Sequence, residues 1–207
     1  MRINYGAGSN RRVGIASLFL AAAFLLVHAL PFNSLTLKAE KRVNEKADPA
    51  NTPAEILRDP KILPTEVERI RQAILQAATS GNIDAMRVPV EMNEIPPVIA
   101  AEKTGDPIAY WRKISGDGEG REILAVLIQL FRSGFVRQGQ GTNEELYIWP
   151  YFAETPLDQL TPAQEVELLT LVPPERFKAM KQAGKYDHYR IGITHDGRWH
   201  YFTTSVD

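Results

Sequence analysis

Tyr186-Asp187-His188-Tyr189-Arg190-Ile191-Gly192-Ile193-Thr194-His195-Asp196-Gly197-Arg198-Trp199-His200-Tyr201-Phe202-Thr203-Thr204 reads as a β-hairpin. Asp-Gly supplies the left-handed backbone of a tight turn, and β-branched and aromatic residues flank it on both sides. Pairing outward from Asp196-Gly197 sets Thr194 against Trp199, Ile193 against His200 and Ile191 against Phe202. Upstream, Phe135–Arg137 and Leu146–Phe152 are two more strand-like runs, joined by a Gly- and Gln-rich turn. Pro150 places the second run at a sheet edge or at a strand end, because proline cannot donate to a ladder.

Helical patterns surround these strands. Gly120–Ser133 carries Ile123, Leu124, Val126, Leu127, Ile128, Leu130 and Phe131 around most of its circumference, which predicts a buried central helix closed by Gly134. Thr65–Thr79 has an apolar stripe of Val67, Ile70, Ile74 and Ala78, a Thr65/Glu68 capping box and Gly81 as its stop. Asp106-Pro107 starts a short helix to Ile114, Thr161-Pro162 with Gln164 starts one to about Val172, and Pro174 begins another that ends at Gly184. Pro89, Pro96 and Pro97 mark Arg87–Ala101 as extended loop. Helices first, then strands, helices and a final hairpin predict a single α+β domain with a small antiparallel sheet over residues 54–207.

The residues before that domain give an address. Arg2, Arg11 and Arg12 precede an apolar run centred on Ile15–Leu26, and Val27-His28-Ala29 offers a small-residue cleavage pattern. This is the layout of a signal peptide over residues 1–29, with an uncleaved anchor through residues 13–30 as the alternative. Residues 30–53 read as a flexible linker, polar and charged from Glu40 to Pro53. The expected location is periplasmic or exported, or anchored in the inner membrane facing the periplasm. The chain has no cysteine, which removes lipidation at a cysteine, disulfides, thiolate metal sites and a thiol nucleophile.

Of 24 basic residues, four (Arg2, Arg11, Arg12 and Lys38) precede Glu40, where the acidic residues begin. That leaves 20 basic against 25 acidic residues, a net charge of −5 from Glu40 onward. Such a body is a poor match for a phosphate backbone, so nucleic acid is excluded as a partner.

Candidate chemistry is sparse. Gly116-Asp117-Gly118-Glu119-Gly120 sets two carboxylates before a helix, where complementing the helix dipole explains them. Asp117, Glu119 and Glu154 are the candidate catalytic acids if the protein is a carboxylate-dependent glycan hydrolase acting on the cell wall, since paired acids can come from anywhere in a chain. His188, His195 and His200 crowd the hairpin, but strand parity puts His188 and His200 on opposite faces, so no metal is expected there. No cofactor fingerprint is present. Tyr147, Trp149 and Tyr151 alternate along one strand and Trp199 and Tyr201 along another. Exposed, they would bind a partner or sugar ring; packed against helices, they would form core.

From about Gly105 onward, five motifs carry a resemblance. They are Gly116-Asp117-Gly118-Glu119-Gly120, Trp149-Pro150-Tyr151-Phe152, Leu160-Thr161-Pro162, Tyr189-Arg190-Ile191-Gly192-Ile193 and Asp196-Gly197-Arg198-Trp199. On these the chain resembles a family of small uncharacterised exported alphaproteobacterial proteins, built as a signal peptide plus one domain. The resemblance implies export and carries no activity to transfer. The function expected is that of a non-enzymatic envelope protein that binds another protein or a peptidoglycan component of the wall, touching the membrane only through residues 13–30 if these are uncleaved.

Overall fold

A computed structural model describes residues 54–100 and 104–204. The leader, residues 1–29, and the linker, residues 30–53, lie outside the described residues. Six α-helices accompany a four-stranded antiparallel sheet in the order β1-β2-β3-β4: β1 Val136–Gln138, β2 Leu146–Trp149, β3 Arg190–Thr194 and β4 Trp199–Thr203. The fold is α+β and ends in the β3–β4 hairpin. Among the described residues no helix is long and apolar enough to cross a membrane.

One face of the sheet meets α1 (Thr65–Thr79), α3 (Pro107–Ile114) and α4 (Arg121–Arg132). Val67, Ile70 and Ile74 of α1 and Leu124, Leu127 and Leu130 of α4 are buried there with Tyr147, Trp149, Ile191, Ile193, Trp199 and Phe202 of the strands. Trp111 of α3 stacks on Trp199 at 5.8 Å, and Phe131 of α4 meets Trp149 edge-on at 5.2 Å. The other face, with Val136 and Ile148, is covered by Tyr151, Phe152, Leu157 and residues of α5 (Pro162–Leu171) and α6 (Pro174–Ala183). Thr161 and Gln164 close a capping box on α5, and Asp106 caps α3.

The structure departs from the sequence expectations in four places. α1 is capped by the extended backbone of Pro64 rather than by a Thr65/Glu68 box; the Glu68 carboxylate is taken by Arg71 at 3.0 Å and Gln72 at 2.7 Å. Arg87–Glu91 forms α2, not loop. Pro89 falls in its first turn, where backbone N–H groups have no helical partner to lose. β2 stops at Trp149, and Tyr151–Glu154 forms a 3-10 turn. β2 therefore lies inside the sheet, paired with β1 and β3, and Pro150 marks its end.

The fourth departure is the hairpin register. Ile191 pairs with Phe202 and Gly192 with Tyr201, as the expected register requires, but Ile193 pairs with Trp199, leaving His200 as the extra residue of a bulge. A bulge breaks the two-residue alternation. Trp199 and Phe202 consequently share the α4 face while Tyr201 lies on the other. Gly192 permits this, because a Cβ there would stand 2.4 Å from the Tyr201 ring. Only a residue without a side chain lets that ring lie across β3.

Candidate functional site

The five aromatic candidates are core. Tyr147, Trp149, Tyr151, Trp199 and Tyr201 are between 0 and 6 % exposed. They do not form one face either: Tyr147, Trp149 and Trp199 are on the α4 side, whereas Tyr151 and Tyr201 are on the α5 side. Pro150 and the His200 bulge separate them. The reading of these rings as an exposed binding surface is therefore corrected to the packing alternative.

The three acid candidates are also kept apart. Asp117 accepts from the backbone N–H groups of Glu119 at 3.2 Å, Gly120 at 3.1 Å and Arg121 at 3.1 Å, and from the Ser115 hydroxyl. The Ser115 bond above all holds its carboxyl below the usual range. Asp117 is thus spent on the N-terminus of α4, and Glu122 joins it by accepting from Gly116 N at 2.6 Å. Gly120 makes the loop possible with φ +84°, where a Cβ would also strike Ile83 at 2.7 Å. Glu119 is exposed. Glu154 lies across the sheet on the α5 side, bonded by Gln138 Nε2 at 2.6 Å. Burial raises its carboxyl against the opposing pull of Arg190 and Gln138. With the sheet between them, Asp117 and Glu154 do not flank a common cleft.

The histidines do not converge. Among the described residues no group of three metal-ligating side chains forms. Burial pushes the His188 imidazole down to about 4, with Arg176 reinforcing the shift. His200 sits on the bulge, also lowered by burial. His195 is different: its Nδ1 lies 3.3 Å from Glu145 Oε1.

Glu145 was not legible as a site residue, and it is the centre of the best-organised polar cluster near the turns. Although a carboxylate, it is only 7 % exposed. Tyr147 Oη donates to it at 2.6 Å and Gly141 N at 2.8 Å. The Tyr147 bond is the main reason its carboxyl stays below the ordinary range. Burial, then the same bond, lifts the Tyr147 phenol to about 12. A cleft of about 340 Å³ opens beside it, lined by Thr142, Asn143, Thr194, His195, Asp196 and Arg198.

A second feature missed by sequence is an exposed apolar strip. Met92–Ile99 runs along the outer edge of β4: Asn93 Oδ1 accepts from Trp199 N at 2.7 Å, Val98 N donates to His200 O at 3.0 Å, and Phe202 N donates to Val98 O at 2.8 Å. Val88 and Met92, four residues apart around α2, and Ile95 and Val98 beyond it are 36 to 63 % exposed. Glu91 and Glu94 are exposed between them, neither in an ion pair among the described residues. Val88 and Met92 stand at helical spacing in the sequence, but Pro89, Pro96 and Pro97 around them are equally signals of loop. Comparisons with family models, curated proteins and solved structures found no match to this chain.

Proposed function

We propose that this is an exported envelope protein whose domain binds another envelope protein through the Val88–Met92–Ile95–Val98 strip. The observation that carries the reading is that strip itself: of the eight large apolar side chains exposed among the described residues, four fall within the eleven residues from Val88 to Val98, at the outer edge of β4. Contiguous apolar surface of this kind marks interaction sites on soluble domains. The leader at residues 1–29 and the resemblance to exported proteins support the envelope as its location.

Charge selects the partner's chemistry. Glu91 and Glu94 flank the apolar side chains and form no ion pair among the described residues, Glu91 feeling Arg87 only at longer range, so the complementary surface is an apolar segment carrying Lys or Arg. An acidic rim disfavours an anionic lipid surface for the same reason. Attachment to the membrane, where it occurs, is assigned to residues 13–30.

The test is a photo-crosslinking residue placed at Ile95 in the exported full-length chain, with Val166 on α5 as the control position. The expected result is one crosslinked envelope protein at Ile95 and none at Val166, lost when Glu91→Lys and Glu94→Lys reverse the rim. A crosslink to a second copy of the chain would replace the proposal with self-association. No crosslink at Ile95, or one indifferent to the reversal, would overturn it.

A further inference from the structure

The cleft between the β1–β2 loop and the β3–β4 turn contains an arrangement that the binding reading does not use. Glu145 can only accept hydrogen bonds once ionised, so the proton on the facing nitrogen belongs to His195 Nδ1. This fixes the tautomer of the neutral ring and leaves the Nε2 lone pair unspent. The imidazole is held by a buried anchor, yet the His195 side chain is 62 % exposed. A backbone bond from His195 N to Glu145 O at 3.0 Å fixes the two residues to each other independently of the side chains. Among the described residues, two further groups lining the same cleft make no hydrogen bond or ion pair through their side chains: the Asn143 amide and the Arg198 guanidinium, the latter near enough to help hold the Asp196 carboxyl down. Asp196, by contrast, is occupied by the Thr194 hydroxyl and Arg198 N.

We propose that this cleft is a hydrolytic site for short acyl esters of polyhydroxyl compounds, with His195 as general base. The chemistry requires only water as co-reactant. Nε2 takes a proton from water as the water oxygen bonds to the acyl carbon. The resulting oxyanion is received by the Arg198 guanidinium and the Asn143 amide. Collapse breaks the acyl carbon–alkoxy oxygen bond, and the departing alkoxide takes the proton back from Nε2, leaving alcohol and carboxylic acid. Glu145 stays ionised throughout, a positioning residue that holds the ring and stabilises the transient imidazolium.

The substrate class follows from the lining. Thr142, Asn143, Thr194, Asp196 and Arg198 supply hydroxyl, amide and charged groups but no apolar side chain for a long acyl chain. A small acyl group on a hydroxyl-rich body matches that surface. None of these residues belongs to the Val88–Val98 strip, so this inference and the docking reading stand or fall separately.

The experiment is pH-stat titration of glycerol triacetate with the full-length protein, compared with His195→Gln and Glu145→Gln. Thermal unfolding of each variant confirms that it is folded. General-base catalysis contributes about 10²–10⁴-fold, so wild type is expected to turn over repeatedly and to exceed His195→Gln by at least about tenfold. Glu145→Gln is expected to lower kcat with KM unchanged, because the amide holds the ring and the transient imidazolium less well than the carboxylate does. Equal rates for wild type and His195→Gln, or no turnover by wild type, would overturn the proposal. An unchanged kcat in a folded Glu145→Gln would remove Glu145 from the mechanism.

Discussion

Glu145 and Glu167 are two carboxylates held by nearly the same parts, and they end in opposite uses. Each accepts from a buried tyrosine, Tyr147 at 2.6 Å and Tyr151 at 3.0 Å, and each accepts from a backbone N–H, Gly141 at 2.8 Å and Gly134 at 3.2 Å. The third partner separates them. Glu167 meets the Arg58 guanidinium in a two-pronged contact at 2.9 and 2.8 Å, which consumes both oxygens and satisfies the cation. Glu145 meets an imidazole through one nitrogen and leaves the other facing a cleft. A fork ends the hydrogen-bond chain at the surface, whereas a histidine passes it onward. Chemical capacity therefore depends on the outermost partner rather than on how strongly the carboxylate is held.

The first test of that contrast has the largest effect. Glu167 joins separate parts of the chain: Arg58 near the start of the domain, Gly134 between α4 and β1, Tyr151 after β2, and α5 itself. Its removal leaves buried groups of several elements unpaired. Glu167→Ala is expected to cost about 3 kcal/mol in urea-induced unfolding. Two of the three Glu145 partners, Gly141 and Tyr147, lie within four residues of it, so Glu145→Ala is expected to cost less, about 2 kcal/mol. The reverse order would make Glu145 the main staple of the fold and dissolve the distinction.

The contrast also shows what a sequence exposes. α4, the capped starts of α3 and α5, and the Asp196-Gly197 turn are encoded within a few neighbouring residues, and all four are where periodicity and capping chemistry place them. The Glu145–His195 pair spans 50 residues and exists because β2 lies beside β3. The two hairpins are local, but the ladder joining them is not, and no turn residue announces it. The His200 bulge was equally hidden, since a two-residue period carries no sign of one residue's insertion. The aromatic strand residues keep the alternation their spacing implies up to two points, Pro150 and His200, where backbone geometry breaks it.

Acid titration separates the carboxylates from the buried imidazole. Glu145 and Glu167 both titrate below 4.5 in the fold: the Tyr147 bond lowers Glu145, and at Glu167 burial raises the carboxyl but Arg58, Gly134 and Tyr151 together outweigh it. Their contribution is present above 4.5 and lost as pH falls below it. His188 titrates at about 4 in the fold against 6.5 unfolded. Between those values the unfolded chain holds a proton that the folded chain does not, so stability falls as pH drops from 6.5 to 4 and is level above. His188→Phe is expected to shrink the slope across that window, leaving the share of His200, which burial also lowers, and to keep the fall below 4.5 intact. A slope unchanged in the variant would assign the window to another group.

The smallest expected effect makes the sharpest distinction. His195 contributes one 3.3 Å contact from a largely exposed ring to a carboxylate already satisfied by a phenol and an amide. Isolated exposed pairs contribute about 0–1 kcal/mol, and His195→Gln keeps a polar group in place, so the change in unfolding free energy is expected to stay within about 0.5 kcal/mol. Arg58→Gln is the matched change at the other site. It is expected to cost more, about 1–2 kcal/mol, because it removes the cation from a fork whose carboxylate remains partly buried. A histidine that contributes little to stability but keeps a nitrogen open in the cleft that Arg198 also lines is placed for a ligand. Should His195→Gln destabilise as much as Arg58→Gln, the imidazole would be a second structural clamp, and the two sites would differ only in which partner they use.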